Sequence, residues 1–293
     1  MNRPREKSGL LRPTTEGSVM TSLDSSDAAI FETFVNPRYL RYFAELMVDM
    51  LSPPARAGDA IVAHLSCRTG YPMRQIVQKL GPTRLVGADP SPAALELAKT
   101  KSGALSNLSA DYRLFRGFPS PLPDASFSHA FAMHPPGGAQ NRMRFIQDAA
   151  RVLVPGGQLL VGTPMQGSFI ELLDLAREYA VKADIAKLAE AIDRLAVLRP
   201  TSESLTKEFT ALGFVDVDFD YHTIAIPFQN GREFLDDPAT RLMIMPELRA
   251  SLASMDSIIP TTLTYVQDSI DKYWAEGGFE VSVVVGCVRG YRG

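Results

Sequence analysis

Two side chains stand where an open α/β sheet usually carries out its chemistry, directly after apolar runs. Asp89 follows the run Arg84–Ala88, and the carboxyl end of a buried strand lies at the ligand edge of such a sheet. The same carboxylate is equally suited to cap the helix that Ser91 and Pro92 begin. His134 follows another apolar run; it is a candidate general base if its pKa lies near neutrality. The alternative is a loop histidine hydrogen-bonded to backbone.

The other reactive side chains favour structural roles. Cys67 is either a thiol activated near a helix N-terminus or, as is commoner, a small buried hydrophobe. Cys287 lies in an apolar run and predicts a core position. His129 and His222 have no partner at the spacing of metal ligands, so the sequence predicts no metal site.

These residues are positioned by an alternation of strands and helices that predicts a parallel sheet covered on both faces. The predicted strands are Ala60–Leu65, Arg84–Ala88, Tyr112–Phe115, Ser128–Met133, Gln158–Gly162, Phe214–Phe219 and Phe279–Val288. The helices predicted from apolar spacing and caps are Pro37–Leu51, Met73–Leu80, Ser91–Thr100, Arg142–Leu153, Phe169–Leu198 and a helix from Thr201 or Ser202 through Leu212.

Composition divides the chain into a tail and one domain. Residues 1–26 are rich in Arg, Ser, Thr, Gly and Pro and predict a disordered tail, and residues 27–293 predict one α/β domain. Helix-rich stretches without strand signals interrupt the alternation at about 166–200 and 227–278. Both follow the carboxyl ends of strands, so we expect a helical cap over the ligand edge of the sheet.

Composition also excludes several classes of protein. The chain has 293 residues, 45% of them hydrophobic, and a net charge of −3, which suits a globular protein with a sizeable core. Near-neutral charge gives no footprint for nucleic acid. No apolar run is long enough to cross a bilayer, and no secretory leader is recognisable. With two cysteines we expect a cytoplasmic protein; its oligomeric state is left open.

Three segments resemble the class I S-adenosylmethionine-dependent methyltransferase family. Residues 151–157, Arg-Val-Leu-Val-Pro-Gly-Gly, are similar to the family's RVLKPGG turn before its fifth strand. Residues 122–127, Leu-Pro-Asp-Ala-Ser-Phe, resemble the segment before the fourth strand, and residues 85–91 resemble the second strand with its terminal acid. The resemblance covers roughly residues 37–226 and, as a seventh strand, 279–288. It implies a doubly wound, mainly parallel seven-stranded Rossmann-like sheet with S-adenosylmethionine as cofactor.

The first loop departs from the family pattern. Family members usually carry an acidic residue and then x-Gly-x-Gly-x-Gly, because glycine permits positive φ and a close approach of the backbone to the cofactor. Here His64 occupies the acidic position, Ser66 the first glycine position and Arg68 the second, and only Gly70 is retained. The resemblance therefore implies a crowded cofactor loop.

The resemblance also identifies two positions for the nucleoside. Asp89, which in the family accepts hydrogen bonds from both ribose hydroxyls, is retained, whereas Phe118 replaces the acid that reads the adenine amine. A non-glycine residue at positive φ costs on the order of 1–2 kcal/mol, and a lost charge-assisted hydrogen bond roughly 1.5–3 kcal/mol. Two glycines and two acids together predict a loss of about 5 kcal/mol, or about three to four decades of affinity.

Two functions follow, and the sequence alone leaves open whether the chain is an enzyme. In the first, which the altered loop favours, the protein has lost S-adenosylmethionine binding, needs no cofactor and acts through protein contacts as a regulatory or scaffolding module. In the second, Gly70 and Asp89 hold S-adenosylmethionine, and His134 or a cap residue such as Tyr221 takes a proton from an oxygen or nitrogen of a small-molecule acceptor.

Overall fold

The computed structural model describes residues 22–54, 58, 60–135 and 139–293. Most of the predicted tail, residues 1–26, lies outside the described residues. Its last part is placed, because Leu23 is buried and its amide donates a hydrogen bond to Ser91 Oγ at 2.8 Å. A helix begins at Ser25, so the predicted boundary at residue 26 falls within a helix.

Seven strands form one sheet in the order β3-β2-β1-β4-β5-β7-β6. The first five in this order are parallel, and β7 runs antiparallel to both β5 and β6. This confirms the doubly wound, mainly parallel seven-stranded sheet. The strands are β1 Ala60–Leu65, β2 Thr83–Asp89, β3 Leu108–Leu114, β4 Phe127–Met133, β5 Leu153–Pro164, β6 Phe214–Phe228 and β7 Phe279–Arg292.

The strands at the two edges of the sheet differ from prediction. β3 begins at Leu108 instead of Tyr112, because alternating exposure along an edge strand hides the apolar run that marks a buried one. β6 continues to Phe228 for the same reason, since its residues 220–223 are all exposed. Within β5, Leu153 pairs with Phe127 and Gln158 with His129, so the Pro-Gly-Gly turn lies in an irregular start of that strand.

Helices cover both faces of the sheet. They are α1 Ser25–Ile30, α2 Arg41–Met50, α3 Met73–Leu80, α4 Pro92–Ser102, α5 Ala139–Val152, α6 Ile170–Lys182, α7 Ala186–Leu198, α8 Ser202–Ala211, α9 Gly231–Asp236, α10 Met245–Ser251 and α11 Ile259–Tyr273. A π-helix, Phe31–Leu40, joins α1 to α2. The predicted helix at 37–51 is therefore the second half of a longer one.

The predicted cap stretches are helical. The first holds α6 and α7, which replace the single helix predicted for 169–198, because the chain turns at Asp184 with φ 53°. The second holds α9, α10 and α11, and α11 packs against α6 and α9. Among the described residues, no helix is both long enough and apolar enough to cross a membrane.

Candidate functional site

The loop after β1, residues 66–70, is here called the β1 loop. Its backbone is left-handed at Ser66 (φ 54°), Arg68 (φ 47°) and Gly70 (φ 78°). Two backbone hydrogen bonds hold this shape, from Cys67 N to Ala88 O at 3.1 Å and from Gly70 N to Cys67 O at 2.7 Å. Residues 66, 68 and 70 thus all have the left-handed backbone that favours glycine. Ser66 and Arg68 carry side chains, and each costs about 1–2 kcal/mol in this conformation.

Gly70 is the position at which a side chain fits least. A Cβ there would lie 2.2 Å from Met73 Cε and 3.0 Å from Ala98 Cβ. Both its positive φ and its close packing against α4 therefore require glycine.

Asp89, at the end of β2, is fully buried and its carboxylate is already occupied. Oδ2 accepts the amide of Arg68 at 2.9 Å, and Oδ1 accepts the amide of Ser91 at 3.0 Å. The Arg68 guanidinium Nη1 lies 3.9 Å from Oδ1. Asp89 therefore holds the β1 loop and Ser91, the residue before α4, but it accepts no amide of the helix itself, so it is not the helix cap that one prediction proposed. Ser91 is the N-cap residue, but its hydroxyl accepts from Leu23 instead of from its own helix.

His64 is buried near the end of β1 and is neutral. Burial, and secondarily the charge of Lys101, lowers the pKa of His64 to about 4. Its Nδ1 atom and the hydroxyl of Ser66 are buried without a hydrogen-bond partner. A neutral ring therefore stands where the family places a carboxylate.

The π-helix is fastened over the β1 loop. Asn36 Nδ2 donates to Thr69 Oγ1 at 3.0 Å, and Lys101 Nζ donates to the Thr69 carbonyl at 3.1 Å. Lys101 also pairs with Glu32 at 2.6 Å. The Phe31 ring lies 6.0 Å from the Arg68 guanidinium carbon, within cation–π range.

Little space is left between the β1 loop, the π-helix and the sheet. A cavity of about 10 Å³ remains, room for about one water molecule. Sites for drug-sized ligands usually enclose roughly 300–1,000 Å³. The side chains that close this cavity come from the β1 loop, the end of β4 and the π-helix: His64, Ser66, Arg68, His134, Phe31 and Asn36.

His134 follows β4 in a left-handed conformation, φ 41°. Its Nδ1 lies 3.1 Å from the Tyr39 hydroxyl, so its ring partner is a side chain and not the backbone group that one prediction assumed. Burial, and then the cations of Arg199 and Arg68, lowers the pKa of His134 to about 3. A general base needs a pKa near neutrality, so His134 in this arrangement does not meet that condition.

An ion pair between the two helix-rich stretches was not predicted from the sequence. Arg199, at the end of α7, pairs with Glu247 of α10 at 2.6 Å and lies 4.5 Å from the ring of Phe169. Its side chain is buried, and its Nε and Nη1 atoms have no hydrogen-bond partner. Only its charge reaches the site, where it acts on His134 and Tyr39.

Other predicted residues lie elsewhere. Phe118 packs edge-on against Phe115 (5.1 Å) and Phe145 (6.2 Å), away from the cavity. The prediction that Tyr221 is a cap residue is wrong, because Tyr221 lies on β6 and is 60% exposed. Cys67 and Cys287 are buried and burial raises the pKa of both thiols, so both are core residues as predicted. No group of three or more metal-ligating side chains occurs among the described residues.

Comparisons with known proteins agree with the fold. Residues 63–161 match the family model described as a methyltransferase domain. The YcgJ protein of Bacillus subtilis is 14% identical, with a TM-score of 0.53 over 86% of this chain and 98% of that one. A putative methyltransferase of Bacillus halodurans is 15% identical, with a TM-score of 0.52 over 87% of this chain and 98% of that one.

A third similar structure is a Haemonchus contortus phosphoethanolamine N-methyltransferase in complex with phosphomonomethylethanolamine and S-adenosylhomocysteine. It is 12% identical, with a TM-score of 0.53, and the match covers 92% of this chain but 58% of that one. No curated protein sequence matches this chain. At these identities the structures show the fold, and together with the family model they confirm the resemblance to class I methyltransferases.

Proposed function

We propose that this chain, which has the fold of class I S-adenosylmethionine-dependent methyltransferases, no longer binds S-adenosylmethionine. It acts instead as a non-catalytic regulatory or scaffolding module through protein contacts. The observation that carries this proposal is the closed space at the β1 loop, which measures about 10 Å³. A nucleoside the size of S-adenosylmethionine needs a pocket more than tenfold larger.

The first supporting argument is steric. The Ser66 and Arg68 side chains project from positions that keep the backbone shape of a glycine loop. The Phe31 ring lies on the other side, against Arg68. Opening this space requires moving the π-helix, which is held by Asn36 and by the Glu32–Lys101 ion pair.

The second argument is electrostatic. The cofactor is a sulfonium cation, and Arg68 places a guanidinium in the β1 loop, where its Nη1 lies 3.9 Å from the Asp89 carboxylate. A cation already present in the site opposes the binding of a second cation there. Asp89 is fully buried, and its oxygens already accept two backbone amides, so a ribose reaches its carboxylate only if the residues that cover it move.

A second candidate function is an active methyltransferase for a small-molecule acceptor. One observation favours it: the hydrogen-bonded Tyr39 and His134 lie close enough to the buried Arg199–Glu247 pair for its charges to act on both rings. Clusters of buried titratable groups with shifted pKa values are typical of functional sites. In this function the π-helix leaves the loop, and His134, then hydrated, accepts the proton of the acceptor.

Calorimetry and thermal unfolding of the full chain with S-adenosylmethionine and with S-adenosylhomocysteine separate the two functions. We expect no heat of binding and no change in Tm. A ligand at 100 times its Kd would add about 2.7 kcal/mol of stability, a shift of about 5 °C or more.

The matched control is Asp89→Asn, which keeps the shape of the side chain and removes its charge. Micromolar binding by the natural chain that Asp89→Asn abolishes would contradict the proposal and support the methyltransferase. Equal weak binding by both proteins would mean that the ligand binds outside this site, and the proposal would stand.

A further inference from the structure

Strand β6 lies at one edge of the sheet, and no strand of the described part of the chain pairs with its outer side. We propose that β6 pairs antiparallel with β6 of a second copy of this chain, with Tyr221 on the twofold axis. Two seven-stranded sheets would then form one continuous sheet, in an isologous contact where each copy contributes the same surface. This pairing does not depend on the proposed loss of cofactor binding.

The free side of β6 is visible in its exposure and hydrogen bonds. Among the residues that the structure describes, β6 pairs with β7 alone, and the four consecutive residues 220–223 are exposed, so both of its faces are open there. The amides of Phe219 and Tyr221 donate to the carboxylates of Asp218 (2.9 Å) and Asp220 (2.8 Å). These amides therefore point away from β7, and alternate residues present both N–H and C=O to the open side.

The exposed side chains of β6 include large apolar ones. Tyr221 is 60% and Val215 50% exposed, and the rings of Phe219 and Tyr221 lie 5.7 Å apart on one face of the strand. A long edge strand with exposed aromatic side chains is a site where another strand adds.

Two features limit where a second strand pairs. The ladder between β6 and β7 shifts between Val215 and Asp218, which marks a bulge. Pro227 near the other end has no N–H to donate. Regular pairing is thus restricted to about residues 218–226. The backbone amides of Phe219 and Tyr221 point to the open side of the strand, so odd-numbered residues of one copy must pair with odd-numbered residues of the other.

The side chains favour one register within this window. With Tyr221 on the axis, Asp220 of each copy lies directly opposite His222 of the other, so in each of two pairs an imidazole N–H can donate to a carboxylate. Moving the axis to Asp220 places two carboxylates opposite each other, and moving it to His222 places two imidazoles opposite each other. Asp218 already forms an ion pair with Arg289 of its own chain at 2.8 Å, so it does not affect the choice of register.

The segment Asp220-Tyr221-His222 is therefore complementary to itself when read antiparallel. On pairing, each Asp220 gives up the Tyr221 amide, which then donates to a carbonyl of the second copy. The freed carboxylate faces the second copy's His222. The hydrogen bonds that these groups give up are thus replaced by hydrogen bonds to the second copy.

Cysteine cross-linking of the full chain under mild oxidation tests the register. Tyr221→Cys is expected to form a disulfide-linked dimer, because residues facing each other on a β ladder lie within disulfide range. Thr223→Cys alone is the matched control and should not cross-link, whereas the Phe219→Cys/Thr223→Cys double variant should. The natural cysteines, Cys67 and Cys287, are buried and give no background.

Light scattering and charge swaps test the association itself. The natural chain is expected at twice its 32.0 kDa mass. Asp220→His and His222→Asp should each weaken the dimer by up to about tenfold, because each places like groups opposite each other. The double variant Asp220→His/His222→Asp restores complementarity and should restore the dimer. All these side chains are exposed, so unchanged thermal unfolding is expected throughout.

A mass of 32.0 kDa at every concentration up to the millimolar range would overturn the proposal. So would cross-linking at residue 222 in place of residue 221, or equal cross-linking of Tyr221→Cys and Thr223→Cys, which would indicate random collision. Failure of the charge-swapped double variant to recover the dimer would also contradict the register.

Discussion

The parallel strands have an amino-terminal end and a carboxyl-terminal end, here called the amino edge and the carboxyl edge of the sheet. These two regions depart from the family pattern in different ways. At the amino edge, the turn at the irregular start of β5 keeps both the family's residues and a tightly packed shape. At the carboxyl edge, the β1 loop keeps left-handed backbone at residues 66, 68 and 70, but two of the three residues carry side chains. The parts of a sequence that build a fold are therefore separable from those that bind a ligand.

The amino edge is held by one arginine. Arg151 in α5 donates to Asp148 of the same helix at 2.7 Å, to the carbonyl of Leu122 at 2.8 Å and to Asp124. It also reaches the Ser120 carbonyl at 3.1 Å. The retained residues of this edge are thus one connected network, whose members cannot change independently.

The largest effect is expected where this network is broken. Arg151→Ala leaves the Asp148 carboxylate, only 3% exposed, without its cation, so the free energy of unfolding should fall by about 3–5 kcal/mol. Urea titration measures it. The control is Lys207→Ala, which breaks the exposed Glu203–Lys207 pair and should change stability by less than about 0.5 kcal/mol. Similar losses in both variants would show that the network carries no special weight.

At the carboxyl edge, a comparable effect should come from acid. The pKa of His64 is about 4 when folded and 6.5 at its ordinary value, so below pH 6.5 the unfolded chain binds a proton that the folded chain refuses. Stability therefore falls as pH falls from 6.5 towards 4, by about 3 kcal/mol for this group.

His64→Asn should remove that part of the pH dependence. Urea titrations of the natural chain and the variant between pH 7 and 4 measure the difference in slope. His134 and the carboxylates are common to both proteins and cancel. Parallel curves would show that His64 is not buried neutral.

A smaller difference is expected between the two glycines of the β5 turn. A Cβ on Gly157 would lie 2.8 Å from the Val154 carbonyl oxygen and 3.1 Å from that of Phe127, which are backbone atoms that cannot move aside. Gly156, with φ 74°, has nothing within 4 Å. Gly157→Ala should cost about 2–3 kcal/mol and Gly156→Ala about 1 kcal/mol. Equal costs would mean that strain, not packing, dominates this turn.

The smallest effect should be a gain at the β1 loop. Ser66→Gly relieves a φ of 54° and removes a buried hydroxyl without a partner. Against the greater entropy of glycine in the unfolded chain, we expect a net gain of about 1 kcal/mol in unfolding free energy. Gly70→Ala is the opposite control and should destabilise. A loss in Ser66→Gly would show that the hydroxyl contributes a contact of its own.

The sheet could be predicted from sequence because its central strands are continuous apolar runs and the turn at the start of β5 has a family signature. The edge strands β3 and β6 were too short in the prediction, since exposed strands lack that signal. Phe31, Val35 and Tyr39 recur every four residues and are buried, so the helix before residue 37 carried a signal that was overlooked.

The site was predictable only in part. The crowded positions Ser66 and Arg68 follow from the family pattern, but the partners that close the space around them do not. Asn36 meets Thr69 across 33 positions, and Tyr39 meets His134 across 95. Arg199 and Glu247 come together only when the two cap stretches pack. Contacts between residues so far apart in the chain leave no local period in the sequence.

The place of β7 bears on how the protein is made. It follows every other strand in the chain, yet it lies between β5 and β6. Until the ribosome has synthesised residues 279–292, no strand joins β5 to β6, so one side of β5 and both sides of β6 lack a hydrogen-bonding partner strand. Completion of the sheet must therefore wait for translation of that last strand, and a nascent chain stalled before it would expose two apolar strand edges for chaperones to shield.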